Sequence, residues 1–62
     1  MMLDSALLDI NQIVAYEPTA EHHLERGRLF MKMNNKKLAC ADFTKAESLG
    51  LDISDYKFYC KD

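Results

Sequence analysis

Glycine and proline are scarce in this chain of 62 residues, and tryptophan is missing altogether. Two glycines and one proline offer few places for hairpin turns, so a sheet of many strands is not expected. The longest stretch without a charged side chain runs only from residue 10 to residue 16. A membrane-spanning helix needs about 20 apolar residues. We therefore expect an all-α protein that has no membrane partner.

An excess of charge of one sign is also lacking. Eight Lys and Arg residues against ten Asp and Glu residues give a net charge of −2 and an isoelectric point of about 5.5. Such a balance does not attract the phosphates of nucleic acids or of anionic lipids, and we expect no nucleic-acid partner. The composition, 48% apolar and 29% charged, is typical of a folded globular chain. The length allows one domain, residues 1–62.

The two cysteines, Cys40 and Cys60, are too few for the disulfide scaffold of a small secreted domain. We interpret them as free thiols in a reducing compartment, with a single bridge as the alternative. The cytoplasm is the location that this interpretation predicts.

Apolar residues recur with helical spacing in three segments, which predicts helices at about 3–16, 19–33 and 36–49. Pro18 ends the first of them, because the residue before a proline is pushed out of the helical region. The tail, residues 51–62, is predicted to form a short helix or turn that packs on the end of the third helix.

Residues with capping and turn preferences separate these segments. Thr19 is suited to begin the second helix, and Asn34 and Asn35 tolerate the turn that follows it. Gly50 is a stop for the third helix. Gly27 stands in mid-helix at a cost of about 1 kcal/mol, which indicates that another helix approaches closely there.

Small and large residues of the first and third helices recur at an offset of 33 residues, a period typical of a helical solenoid. In addition, the 34-residue stretch from Ala20 to Ile53 resembles one tetratricopeptide repeat. Its helix-packing positions fall at the family's spacing: Gly27, Phe30, Ala39, Phe43 and Ala46. The chain departs from the family pattern at three other positions, where His23, Arg26 and Leu51 stand in place of Trp, Leu and Pro.

The resemblance implies a three-helix fragment of an α–α superhelix, in which the second helix of one repeat precedes a full helix-turn-helix repeat and a short C-terminal cap. It also implies a scaffold or module that binds another protein or peptide and has no catalytic activity. The family's concave groove would be lined here by residues of the second helix, namely Glu21, Leu24, Glu25, Arg28, Met31 and Lys32. Glu21 and Glu25 stand where a clamp for a terminal carboxylate needs basic or amide groups, so we predict no such clamp.

About three repeats are normally needed to cover a solenoid's apolar ends, so one and a half repeats predict self-association into a homodimer, which is favoured, or into a larger array. A fragment of a longer solenoid is equally compatible with these residues. The expected contacts come from the first helix and the aromatic tail: Ala6, Leu7, Ile10, Val14, Tyr56, Phe58 and Tyr59.

No arrangement typical of catalysis, a cofactor site or a metal site is found in the sequence. His22 and His23 are adjacent and point about 100° apart on a helix, so they do not chelate one metal ion. Cys40 is interpreted as a buried structural thiol, and His23 as half-buried. The scattered carboxylates, Asp42 among them, are interpreted as solvated.

The alternative function is that of a small helix-turn-helix protein that binds nucleic acid. Its basis is the helix–Asn–Asn–helix element with basic residues around it, namely Arg26, Arg28, Lys32, Lys36 and Lys37. The acidic balance and the carboxylates on the same helices oppose it.

Overall fold

The computed structural model of this chain describes residues 3–60. Within them the chain forms three helices and no strand: α1 (Leu3–Tyr16), α2 (Ala20–Lys32) and α3 (Lys36–Ser48), followed by a 3-10 helix at Lys57–Cys60. The prediction of an all-α fold with three helices is confirmed. The last two residues of the predicted tail, 61 and 62, lie outside the described part.

Local side-chain hydrogen bonds set where α2 and α3 begin. The Thr19 hydroxyl accepts from the backbone N–H of His22 at 3.2 Å, so α2 starts one residue after this cap. In the same way the Asn35 side chain accepts from the N–H of Leu38 at 3.2 Å and caps α3. Between them Asn34 has a φ of 62°, the left-handed conformation that asparagine tolerates and that turns the chain back.

Gly50 ends α3 in a left-handed conformation, with a φ of +102°. Its N–H donates to the carbonyl of Glu47 at 2.9 Å, and the N–H of Leu51 donates to the carbonyl of Ala46 at 3.1 Å. These two bonds form a Schellman motif, which satisfies the last carbonyls of the helix. The motif directs the tail back onto α3, where the 3-10 helix packs.

The core lies between α2, α3 and the tail. Its fully or almost fully buried members are Phe30, Ala39, Phe43, Ala46 and Ile53. α2 and α3 form an antiparallel hairpin joined by a short turn, and α1 packs along α2. No described helix is long and apolar enough to cross a membrane.

The structure changes the expected role of α1. Ile10 and Val14, which we expected to remain uncovered for a second copy, are buried within the chain, because α1 turns this apolar stripe onto α2. Leu7 is half-buried against the core as well. Of the four expected α1 contacts, Ala6 alone is exposed. The homodimer stays a prediction that now has fewer residues to support it.

The interpretation of Cys40 and Cys60 as free thiols is wrong. The two form a disulfide between α3 and the end of the 3-10 helix, with their Cα atoms 5.2 Å apart. The Schellman turn at Gly50 makes this possible, because it folds the tail back along α3 and brings Cys60 beside Cys40. The disulfide closes a loop over 20 positions of sequence. With both thiols oxidised, the argument for a reducing compartment no longer holds.

Candidate protein-interaction surface

The helix-packing residues lie together at the centre of the α2–α3 hairpin. Gly27 is buried against Phe43 and against the backbone of Ala39. A Cβ atom at Gly27 would lie 2.6 Å from Cε1 of Phe43 and 3.2 Å from the carbonyl oxygen of Ala39. Ordinary carbon contacts are about 3.5–4.0 Å, so only glycine allows this approach of the two helices.

A buried carboxylate lies beside this contact. Asp42 accepts two hydrogen bonds from Arg26, from Nε and Nη2, both at 2.9 Å, and its Oδ1 lies 3.1 Å from Nδ1 of His23. Arg26 also donates to Oδ1 of Asn11 at 3.2 Å. The cluster therefore joins all three helices through charged or polar groups. The bidentate pair of Arg26 and Asp42 fixes the relative position of α2 and α3 and also contributes energy.

The two hydrogen bonds to Asp42 raise the pKa of Arg26 above its usual value, although partial burial acts in the opposite direction. Arg26 is therefore a permanent cation that is neutralised within the chain. Arg26 is one of the five basic residues on which the nucleic-acid alternative is based. Its guanidinium group donates to Asp42 rather than pointing freely into solvent, where a phosphate could reach it.

Sequence reasoning placed Asp42 on a solvated face, and this is wrong because the residue is only 4% exposed. A signal was present in the sequence. The buried positions of α3 are 39, 42, 43 and 46, which is the spacing of one helix face, and Asp42 stands within it. His23 is likewise buried rather than half-buried, and its partner is the same carboxylate.

The predicted groove residues of α2 separate into two groups. Glu21, Glu25, Arg28 and Lys32 are exposed along one face of the helix. Leu24 and Met31 are half-buried against the core and do not belong to that face. Leu29, which the sequence analysis did not identify, lines a shallow depression together with Glu25, Arg28 and Lys32.

A hollow of about 330 Å³ lies between α1 and α2. Its apolar part comes from α1 and from Leu29, and Asp9 and Glu25 stand at its edges; the lining residues are Ala6, Asp9, Ile10, Ile13, Glu25 and Leu29. A second hollow of about 360 Å³ continues the first toward the end of α1 and shares Asp9 and Ile13 with it. We call the two hollows together the α1–α2 surface.

Large apolar side chains of α1 are exposed at or near these hollows. Ile13 is 42% exposed and Tyr16 is 88% exposed, while Leu8, at 63%, lies farther round the helix. α1 is covered by α2 on one side, and its remaining faces are open. The combination of apolar floor, exposed apolar side chains and charged edge is typical of a protein-binding surface.

The aromatic tail is used mostly within the chain. The ring of Tyr56 stacks on that of Phe43 with centroids 4.8 Å apart, and Tyr59 lies 6.2 Å from Phe43. Both tyrosines are half-buried, so they cover the core rather than remaining free for a second copy. Phe58 stays exposed and lies against Tyr59.

The other histidine of α2, His22, makes a local contact with the backbone. Nδ1 of His22 lies 2.8 Å from the backbone carbonyl oxygen of Glu17, an interaction that joins α2 to the end of α1. No group of three His, Cys, Asp or Glu residues between residues 3 and 60 is arranged to hold a metal ion. Searches of family models, curated proteins and solved structures find no match to this chain.

Proposed function

We propose that this chain is a non-catalytic protein-interaction module of the tetratricopeptide type, which binds another protein or peptide through the α1–α2 surface. The observation that carries the proposal is the open flank of α1, where apolar side chains are exposed beside a hollow that is already formed. In a solenoid the helix at the position of α1 would pack against a helix of its own repeat. Among the described elements, α2 is the helix that packs on α1, and the opposite side of α1 is exposed within residues 3–60.

The close contact at Gly27 supports the repeat assignment. A glycine in mid-helix is costly unless a neighbour needs the space, and the Phe43 ring occupies that space in the 34-residue register. Binding of nucleic acid is less well supported, because Arg26 is engaged by Asp42, and Glu21 and Glu25 lie on the same face as Arg28 and Lys32.

Peptide selection followed by NMR mapping tests the proposed function. Immobilised wild-type protein is used to select binders from a displayed library of random 16-residue peptides. Selected peptides are then titrated into ¹⁵N-labelled protein. We expect amide shifts concentrated at Ala6, Asp9, Ile13, Glu25 and Leu29.

Two surface variants provide the matched comparison. Ile13→Asp places a charge on the floor of the hollow and is expected to weaken binding at least tenfold, whereas Phe58→Asp changes an exposed apolar residue on the tail and leaves binding unchanged. Failure to enrich any binder, or equal effects of the two variants, would contradict the proposal.

A further inference from the structure

Charge is divided sharply along this chain. Residues 1–25 contain five carboxylates and neither lysine nor arginine, and all eight basic residues lie at position 26 or beyond. The carboxylates of the first part are Asp4, Asp9, Glu17, Glu21 and Glu25. A net charge near zero for the whole chain therefore hides an acidic half that contains all of α1 and the first turns of α2.

The α1–α2 surface lies in that acidic half. Asp9 is shared by both hollows, Glu25 faces it across the first hollow from α2, and Glu17 lines the second. All three are exposed, and within residues 3–60 none of them forms a salt bridge. No lysine or arginine contributes to the described lining of either hollow. Within residues 3–60 the apolar floor is thus bordered by carboxylates that form no ion pair, and Arg28 and Lys32 lie beyond Glu25 in the neighbouring depression.

From this arrangement we propose that the α1–α2 surface binds a basic amphipathic helix, with an apolar stripe for the floor and Lys or Arg on its flanks for Asp9, Glu17 and Glu25. This inference rests on the proposed function and names the class of partner. Complementary charge at the edge of an apolar contact selects the partner and its orientation. Helix-in-groove recognition of this kind reads apolar anchors at i, i+3 or i+4, and i+7.

The shape of the surface favours a helix over an extended strand. The two hollows run side by side along α1 from Ala6 to Glu17, a length of about 17 Å at 1.5 Å per residue. A helix of about 12 residues spans this length and packs at the usual separation of 8–10 Å from its neighbours. The bound helix would complete the packing of α1, which now has one helical neighbour.

A second copy of this chain does not offer such a helix in its described part. α3 carries lysines, but the exposed large apolar residues in it and at its C-cap, Leu38 and Leu49, are 11 positions apart with Lys45 between them on the same face. That face therefore lacks a continuous apolar stripe. We assign the surface to a different protein, and self-association becomes an outcome that the experiment must separate.

The test uses two synthetic peptides as probes. One is a 14-residue helix with Leu at i, i+3 and i+7 and Lys on both flanks, and the other has Glu in place of every Lys. Fluorescence anisotropy with the disulfide-bonded protein measures their dissociation constants at 50 and 300 mM NaCl. We expect the Lys peptide to bind at least tenfold more tightly than the Glu peptide, and salt to weaken it.

Charge-reversed variants separate a local site from general attraction. The double variant Asp9→Lys and Glu25→Lys should bind the Lys peptide at least tenfold more weakly. The matched variant Asp52→Lys and Asp55→Lys makes the same change in net charge at two exposed positions of the tail and should bind less than twofold more weakly. All four residues are exposed, and circular dichroism confirms that both variants keep their helical content.

Three results would overturn the inference. Equal weakening by the two double variants would show that net charge alone attracts the peptide. A concentration-dependent dimer in sedimentation that Ile13→Asp dissociates would assign the surface to a second copy. If the Lys peptide does not bind while library-selected peptides still shift the same amides, the partner class is refuted and the proposed function stands. If neither kind of peptide binds, both proposals fail.

Discussion

Replacing Gly27 by alanine measures how closely α2 and α3 approach. In an exposed helix this change stabilises by about 1 kcal/mol, because alanine has the higher helix propensity. Here the new Cβ would lie 2.6 Å and 2.8 Å from two atoms of the Phe43 ring. The ring or the helix must move by about 1 Å to restore an ordinary contact. The two effects have opposite signs, so the measured sign reports which one dominates.

The ring of Phe43 has little room to move. It is fully buried, Tyr56 stacks on it with ring centroids 4.8 Å apart, and the Ala39 carbonyl oxygen lies 3.2 Å from the new Cβ. Overpacking of this kind costs about 1–3 kcal/mol. With a cost toward the upper end, we expect Gly27→Ala to lower the free energy of unfolding by about 1–2 kcal/mol and Tm by roughly 5–15 °C.

A double-mutant cycle in urea, followed by circular dichroism, isolates the contact. Phe43→Val removes both ring atoms in question, Cδ1 and Cε1, because valine ends at Cγ, so in that background Gly27→Ala should become neutral or stabilising. Gly50→Ala is the control: its Cβ meets nothing within 4 Å, but its φ of +102° makes alanine costly by about 1–2 kcal/mol whatever stands at Phe43. If Gly27→Ala stabilises the wild-type protein, the helices do not approach as described and the repeat register is wrong.

Three further predictions concern the covalent and polar links. Breaking the disulfide by Cys40→Ser with Cys60→Ser should lower the free energy of unfolding by about 3 kcal/mol, because the bond no longer restricts the loop that it closes in the unfolded chain. A thiol reductant should then leave the urea midpoint of the variant unchanged. If the variant has the same urea midpoint as the oxidised wild type, a role of the disulfide in stability is refuted. Asp42→Ala leaves the buried His23 and the half-buried Arg26 without this acceptor and should cost about 3 kcal/mol, against under 1 kcal/mol for Glu47→Ala at an exposed ion pair, and similar losses in urea titrations would show that Asp42 is not buried in solution. Because the folded state raises the pKa of Arg26, the stability that this residue contributes is complete at every pH below its unfolded-state pKa. The difference in the free energy of unfolding between wild type and Arg26→Met should therefore stay constant from pH 7 to pH 10. A decline of this difference with rising pH would contradict the raised pKa.

Features that depend on neighbouring residues could be predicted from the sequence. The cap at Thr19, the turn at Asn34 and the stop at Gly50 each act over three to five positions, and the structure has all three. Apolar periodicity likewise located the helices, because it records which side of a helix must be buried.

Features that depend on which helices meet could not be predicted in the same way. The contacts of Asp42 with His23 and Arg26 span 19 and 16 positions, and the disulfide spans 20. In the proposed repeat register His23 and Arg26 stand at the Trp and Leu positions, and both side chains contact one carboxylate on the facing helix. The apolar stripe of α1 was recognised, but its direction depends on docking against α2. The α1–α2 surface results from that docking.

The tail and its cross-link make the molecule one-sided. Tyr56, Tyr59 and the Cys40–Cys60 bond close the α3 end, whereas α1 at the other end remains open. A repeat that is open at both ends stacks head to tail without limit, and such a contact produces fibres. Within residues 3–60 the tail covers the α3 end, so we expect such stacking to be blocked on that side. If the proposed partner helix binds at α1, we expect one such helix for each chain.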